Sequence, residues 1–135
     1  APAPVNSDLP KLKVGTDCSG MESALMALYI LQQHSNMFFY EHVFSCDNDK
    51  HCKQTVMANY PPKIFYDDIT KRDNSKVPRV DLYIAGFPCQ SFSQMGKQLG
   101  FEDDRGQIFH YVFDYISTQK PKVFILKNQK WRICI

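Results

Sequence analysis

Residues 81–93 read DLYIAGFPCQSFS, a short apolar run followed by a turn that contains Gly86, Pro88 and Cys89. An apolar run of this length predicts a buried β-strand over Asp81–Ala85. Proline fixes its own φ and has no backbone N–H to donate, so it makes a rigid corner after the strand. We therefore expect the Cys89 thiol to stand at the C-terminal end of a strand, where it is well placed to act as a nucleophile.

The composition is that of one folded domain. The chain has 135 residues and 44% of them are hydrophobic, which suits a packed core and is too short for two ordinary domains. The 16 basic and 14 acidic residues give a net charge of +2. That balance does not by itself indicate nucleic-acid binding, although a local basic groove would still allow it. No apolar stretch approaches the roughly 20 residues of a membrane span, so we expect an intracellular location and no membrane contact.

The cysteines indicate a reducing compartment. They lie at positions 18, 46, 52, 89 and 134, an odd number without the spacing of a small secreted domain. We therefore expect free thiols. Cys46, His51 and Cys52 are close in sequence, but their spacing fits no common zinc pattern, and we expect no metal site.

Apolar periodicity predicts strands that alternate with helices along the chain. The predicted strands are Leu12–Thr16, Glu41–Ser45, Lys63–Tyr66, Asp81–Ala85 and Val123–Leu126, and the predicted helices are Met21–Gln33, Lys50–Asn59 and Ile108–Thr118. Ser19 or Ser23 could cap the first helix. Residues 73–78 and most of 86–105 read as loops. This order predicts an α/β fold with a parallel sheet and helices on both faces.

Four chemically interesting side chains follow predicted strands. Cys18, Asp47, Asp68 and Cys89 each stand just after one. Because the C-terminal ends of parallel strands share one edge of the sheet, these groups should converge on a single rim, where such sheets bind ligands. Other interpretations stay open from the residues alone: Asp47 could be a helix N-terminal acid, Asp68 a turn aspartate, and Cys89 a small buried hydrophobe.

Residues 86–93, GFPCQSFS, resemble the catalytic loop of the DNA cytosine-5 methyltransferases. Residues 96–106, GKQLGFEDDRG, are similar to the G-K-Q-x-G-x-x-D-x-R-G stretch that follows this loop in the family. The resemblance implies a Rossmann-like S-adenosylmethionine-dependent methyltransferase fold, truncated here after about five parallel strands. It also implies that residues 1–10 are a flexible tail. Residues 11–135 would be a partial catalytic domain without the target-recognition region and the C-terminal motifs.

The resemblance implies S-adenosyl-L-methionine as the cofactor. Residues 16–23, TDCSGMES, are similar to the family's loop that cradles it. Cys18 replaces the usual phenylalanine there, and Glu22 and Ser23 replace two glycines. Asp47 would bind the ribose hydroxyls. The complete set of expected cofactor contacts is Cys18, Gly20, Met21, Asp47, Asn48, Asp68, Ile69, Gly86, Pro88 and Ile108.

DNA is the partner that the resemblance implies, which places the protein in the nucleus if the host is eukaryotic. In the family, the thiolate that corresponds to Cys89 attacks carbon 6 of a cytosine turned out of the helix, and carbon 5 then takes the methyl group. The residues expected to contact DNA are Gln90, Ser93 and Arg105.

One departure from the family suggests that the isolated chain is inactive. Lys127 stands where the family has a glutamate that holds the cytosine. Lysine has hydrogen-bond donors only, and it could protonate the ring only if burial lowered its pKa. The family's C-terminal half is also missing after Ile135. The alternatives are a catalytically dead structural or interaction subunit, and a fragment complemented by a second polypeptide that covers the open sheet edge. The chain has neither the G-x-G-x-x-G fingerprint of dinucleotide-binding enzymes nor a C-x-x-C redox pair.

Overall fold

A computed structural model describes residues 8–87 and 104–128. It contains five strands and three helices. The strands are β1 (Lys11–Asp17), β2 (Phe39–Cys46), β3 (Ile64–Tyr66), β4 (Leu82–Phe87) and β5 (Val123–Asn128), and the helices are α1 (Ser23–Ser35), α2 (Lys50–Asn59) and α3 (Asp104–Gln119). Two short 3-10 turns, Ile69–Lys71 and Asn74–Lys76, connect β3 with β4.

The five strands form one parallel sheet in the order β3-β2-β1-β4-β5. This confirms the α/β fold that the alternation of elements predicts. Helices α1 and α2 cover one face of the sheet, where Leu25 and Val56 are buried, and α3 covers the other, where Val112 and Tyr115 are buried. We call these the α1/α2 face and the α3 face. The strand order places the C-terminal ends of β1, β2 and β4 side by side at the middle of the sheet.

A bulge in β2 decides which of its side chains reach each face. Gly15 of β1 pairs with Phe44, whereas the residue before Gly15 pairs with His42, so Val43 is an extra residue in β2. Beyond the bulge the alternation of side chains is reversed. His42 and Ser45 therefore both lie on the α1/α2 face, and Phe44 lies on the α3 face.

Aromatic rings fill the core of the α3 face. The Phe44 ring packs edge-on against Tyr115 with a centroid distance of 5.4 Å, and Tyr115 lies 4.4 Å from Tyr83. The Phe44 ring also lies against the backbone of β1, because a Cβ atom at Gly15 would overlap it. Glycine at this position thus allows an aromatic side chain to lie flat across the central strand.

The ends of the helices correct part of the sequence prediction. The N-cap of α1 is Glu22, whose side chain makes no capping bond, so the expected serine cap is wrong. Asp49 caps α2 by accepting hydrogen bonds from two backbone N–H groups. The segments predicted as loops also contain regular structure, because β4 extends to Phe87 and α3 begins at Asp104.

Candidate functional site

A cavity of about 310 Å³ opens at the C-terminal ends of β1, β2 and β3. Its size is at the lower end of the range for small-molecule sites. Three of the four groups expected on this rim meet there, and Cys89 lies outside the described residues. We call this cavity the cleft. It is lined by Cys18, Gly20, Cys46, Asp47, Asn48, Asp49, Cys52, Asp68, Ile69 and Ile108.

Seven of the ten residues expected to contact the cofactor line the cleft. The other three lie elsewhere. Met21 is 69% exposed and is not part of the lining, Gly86 lines a smaller neighbouring cavity, and Pro88 lies outside the described residues. Three further residues line the cleft, although the sequence indicated no such role for them: Cys46, Asp49 and Cys52. The one sequence feature that could have identified them is that they lie close to Asp47 along the chain.

Asp47 joins the loops that follow β1 and β2. Its Oδ2 accepts a hydrogen bond from the Gly20 N–H at 2.8 Å, and its Oδ1 accepts one from the Asp49 N–H at 2.9 Å. Each carboxylate oxygen can accept a second hydrogen bond, so both keep capacity for a ligand hydroxyl. The N-cap of α2 is Asp49, and the side chain of Asp47 is therefore left for the cleft rather than for the helix.

Asp68 has a local structural role as well as a place in the cleft. Its Oδ1 accepts hydrogen bonds from the Thr70 hydroxyl at 2.6 Å and the Thr70 N–H at 2.8 Å. These bonds lower the pKa of Asp68, so it is a carboxylate at neutral pH. The turn-aspartate interpretation is confirmed, and the next residue, Ile69, is buried beside it in the cleft wall.

Two of the three thiols that line the cleft, Cys18 and Cys46, are poor nucleophiles. Burial, together with the negative charges of Asp17 and Asp47, raises the pKa of Cys18 to about 12. Burial raises the pKa of Cys46 as well. Because the thiolate is the reactive form, neither residue is suited to attack a substrate at neutral pH.

A buried ion pair lies under the cleft on the α3 face. The Arg72 guanidinium donates to both carboxylate oxygens of Asp17 at 2.5 Å, and their side chains are 3% and 0% exposed. The Tyr83 hydroxyl donates to the same carboxylate, and the guanidinium stacks on the Tyr66 ring at 5.3 Å. Arg72 follows the turn that carries Asp68, so the pair ties that side of the cleft to β1. Nothing in the sequence pattern indicated this contact.

A smaller cavity of about 30 Å³ lies between the start of α1 and the ends of β1, β4 and β5, and Glu22, Gly86 and Lys127 are among the residues that line it. A Cβ atom on Gly86 would lie 3.3 Å from the Cys18 carbonyl oxygen, so glycine permits a close approach there. Lys127 is exposed. Of the residues expected to contact DNA, Arg105 is the second residue of α3, and Gln90 and Ser93 lie outside the described residues.

The comparison with known families agrees with this arrangement. The family model described as C-5 cytosine-specific DNA methylase matches residues 18–131, most of the chain. The chain belongs to this family. The match confirms the resemblance inferred from the motifs at residues 86–93 and 96–106, and the five-stranded parallel sheet is consistent with the Rossmann-like fold. Methyltransferases of this family use S-adenosylmethionine in general and act on DNA.

The chain is also similar to Type II methyltransferases of bacteria. The chain is 44% identical over 88 residues to the Type II methyltransferase M.DsaV of Dactylococcopsis salina, covering 65% of this chain and 25% of that protein. It is 47% identical over 88 residues to M.NgoBI of Neisseria gonorrhoeae, covering 65% of this chain and 27% of that protein. The chain thus spans about a quarter of the length of these curated relatives. None of the helices in the described residues is long and apolar enough to cross a membrane.

Proposed function

We propose that the cleft binds S-adenosyl-L-methionine. The observation that carries the proposal is that seven of the ten expected contact residues line one cavity of suitable size. Asp47 would accept hydrogen bonds from the ribose hydroxyls, since each of its oxygens has one acceptor position left. Ile69 and Ile108 supply apolar walls for a flat base, and Asp68 and Asn48 supply polar groups at its edge. The adenine would pack without the aromatic stacking partner that the family often has at position 48.

The reaction that this site would serve is methylation of carbon 5 of cytosine in DNA. The bound cofactor supplies an electrophilic methyl group. We assign the nucleophile to Cys89, because β4 ends two residues before it and because burial raises the pKa values of the thiols that line the cleft. Gln90, Ser93 and Arg105 are the proposed DNA contacts. A chain that acts on DNA works inside the cell, in the nucleus of a eukaryotic host.

We further propose that this chain does not turn over by itself. Lys127 occupies the place of the glutamate that holds the target base, and lysine cannot accept a hydrogen bond from the cytosine amino group. Burial could have turned the lysine into a proton donor, but Lys127 is exposed at the end of β5. Loss of such a transition-state contact costs about two to three powers of ten in rate. The second candidate is therefore a methyltransferase-like subunit that retains the cofactor site without the activity.

Cofactor binding is best tested by calorimetry with S-adenosylhomocysteine, which avoids turnover. We expect the wild-type chain to bind and Asp47→Asn to weaken binding at least about 10-fold, because the amide must turn its NH2 group towards the N–H of either Gly20 or Asp49. Asp67→Asn is the matched control, since Asp67 pairs with Lys53 at the surface and is not part of the cleft lining. Equal affinities for the two variants would contradict the proposed site.

Activity is tested separately, with labelled S-adenosylmethionine and cytosine-rich duplex DNA. The wild-type chain should bind the cofactor and transfer no methyl group above the background of a Cys89→Ser variant. Robust incorporation by the wild type would refute the proposed inactivity while leaving the cofactor site intact.

A partner polypeptide is the remaining part of the proposal. Val123, Phe124 and Ile125 of β5 are each at least 50% exposed, and within the described residues β5 pairs with β4 alone. A strand with one unpaired edge and exposed apolar side chains favours addition of another strand. We propose that a second polypeptide pairs there. Co-elution with the part of M.DsaV outside the matched segment should be lost in Phe124→Lys; co-elution that survives this change would exclude β5 as the contact.

A further inference from the structure

A buried carboxyl group stands at the beginning of α1, beside the cleft. Glu22 is 1% exposed and its backbone is left-handed, with a φ of 61°. This conformation is strained for every residue that has a Cβ atom. The family that residues 16–23 resemble has glycine at this position. Glycine would avoid both the backbone strain and the burial of a carboxyl group. A strained residue that also buries an ionisable group indicates a role for its side chain.

The carboxyl group of Glu22 orders three hydroxyl groups. Its Oε1 accepts hydrogen bonds from Thr16 Oγ1 at 2.6 Å and from Ser45 Oγ at 2.7 Å. Each hydroxyl has a single hydrogen to donate, so those of Thr16 and Ser45 are committed to the carboxyl. Ser19 Oγ lies 2.6 Å from Ser45 Oγ and 3.0 Å from the Cys46 carbonyl oxygen. Ser45 can therefore only accept from Ser19, and the single hydrogen of Ser19 is shared between Ser45 Oγ and the Cys46 carbonyl oxygen.

Ser19 connects this network to the cleft. Its N–H donates to the Cys46 carbonyl oxygen at 3.2 Å, so backbone and side chain both fix it to the end of β2. The residues on either side of Ser19, Cys18 and Gly20, line the cleft. Rotation of the Ser19 hydroxyl away from β2 would remove the side-chain part of this attachment and weaken the hold on the loop that carries them.

His42 lies against the carboxyl group of Glu22 but does not donate a hydrogen bond to it. His42 Nδ1 lies 2.7 Å from the Tyr60 carbonyl oxygen, so Nδ1 carries the hydrogen and Nε2 has a lone pair. That Nε2 is buried without a hydrogen-bond partner among the described residues, 3.6 Å from Glu22 Oε1. Burial raises the pKa of Glu22 and lowers the pKa of His42. Both shifts favour the neutral forms, so an uncharged glutamine should replace Glu22 with little change.

We propose that Glu22 is a positioning residue for the cleft: through Thr16, Ser45 and Ser19 it holds Cys18 and Gly20 where they contact the cofactor. The inference rests on the proposed cofactor binding. The proposed role differs from that of the glycine at the same place in related sequences. Glycine can supply the left-handed backbone conformation, but it has no side chain to accept a hydrogen bond.

Three variants separate positioning from folding. Glu22→Gln keeps the acceptor, and Glu22→Gly removes it while relieving the backbone strain. Ser45→Ala interrupts the network without touching the strained residue, and Ser117→Ala, an exposed hydroxyl on α3, is the control. Affinity for S-adenosylhomocysteine is measured by calorimetry, stability by thermal melting, and loop order by amide hydrogen exchange at Ser19 and Gly20 without the cofactor.

We expect Glu22→Gln and the control to bind within about 3-fold of the wild type. Glu22→Gly and Ser45→Ala should bind at least about 10-fold more weakly and exchange faster at Gly20. Glu22→Gly should melt within about 5 °C of the wild type, since relief of strain offsets the lost hydrogen bonds. A purely structural residue would lower cofactor affinity and thermal stability together. A loss of affinity with little loss of stability therefore identifies a positioning residue.

Two results would overturn the inference. One is unweakened cofactor binding by Glu22→Gly. The other is unchanged exchange at Gly20 in both Glu22→Gly and Ser45→Ala, which counts against it whatever the affinities are. Failure of the wild type itself to bind at millimolar cofactor would instead refute the proposed function, and the exchange data would then stand as a separate test of the loop.

Discussion

Arg72 and Asp17 form a bidentate ion pair that is almost completely removed from solvent, with both N–O distances at 2.5 Å. Burial opposes the charge of Arg72, but the hydrogen bonds and the charge of Asp17 raise its pKa above the ordinary value. The pair joins the end of β1 to the connection between β3 and β4. The ion pair therefore connects two of the segments that border the cleft.

Removing one partner of this pair should be strongly destabilising. We expect Arg72→Leu to lower the free energy of unfolding by about 3–5 kcal/mol, because it leaves the Asp17 carboxylate buried without a counter-charge. Urea denaturation followed by circular dichroism measures the loss. The double variant Asp17→Asn, Arg72→Leu should recover part of it, since no uncompensated charge remains. A loss below about 1 kcal/mol in the single variant would mean that the pair is not buried as described.

Gly15 should be less tolerant of alanine than Gly20. A methyl group at Gly15 would overlap the Phe44 ring, and overpacking of this kind costs about 1–3 kcal/mol. At Gly20 a Cβ atom meets nothing within 4 Å, so only the strain of its positive φ remains. The measurement is the denaturation midpoint of Gly15→Ala, Gly20→Ala and Gly15→Ala combined with Phe44→Leu. The smaller leucine should rescue part of the Gly15→Ala loss; additive effects would refute the overlap.

Asp81 should make the free energy of unfolding decrease as the pH falls into the acid range. Its Oδ2 accepts a hydrogen bond from the Lys13 N–H at 2.9 Å, and that bond lowers the pKa of Asp81. A group with a lowered pKa stabilises the fold above its unfolded pKa of about 3.9 and stops doing so as the pH falls through the folded value. Asp81→Asn should therefore cost about 1 kcal/mol at pH 7 and progressively less towards pH 3. A loss that does not vary with pH would contradict this origin.

The thiols at the cleft should resist alkylation. Because burial raises the pKa of Cys18 to about 12, very little of this thiol is in the reactive thiolate form at pH 8. Isotope-coded iodoacetamide and peptide mass spectrometry should find Cys18 and Cys46 labelled far more slowly in the folded chain than in urea. S-adenosylhomocysteine should slow Cys18 further. Labelling of Cys18 at the unfolded rate would show that the cleft is open to solvent.

Local patterns predicted the order and type of the elements well. The helix predicted over Lys50–Asn59 has those limits in the structure, because an aspartate caps it and two prolines follow it. The predicted convergence of Cys18, Asp47 and Asp68 is confirmed by the lining of the cleft. That part follows from topology alone, since parallel strands end at a common edge.

Contacts between distant segments could not be predicted from local patterns. Arg72 lies in a polar stretch that gives no sign of burial, and its partner Asp17 is 55 residues away. Glu22 looks like an ordinary residue in the first turn of a helix, yet it is buried in a left-handed conformation. The face on which each side chain of β2 lies could not be predicted from a two-residue alternation either. The bulge at Val43 interrupts that alternation, and it arises from pairing with β1.

Val43 has a consequence for how this gene can change. It is the inserted position in a strand whose Ser45 lies in the Glu22 network and whose Phe44 lies in the aromatic core. An in-frame deletion of its codon would leave His42 paired with Val14 and Phe44 paired with Gly15 in a regular ladder, so Phe44 and Ser45 would keep their faces. Evolution can therefore remove this residue without exchanging the two faces, whereas a replacement at position 43 has to fit the core, since Val43 is only 7% exposed.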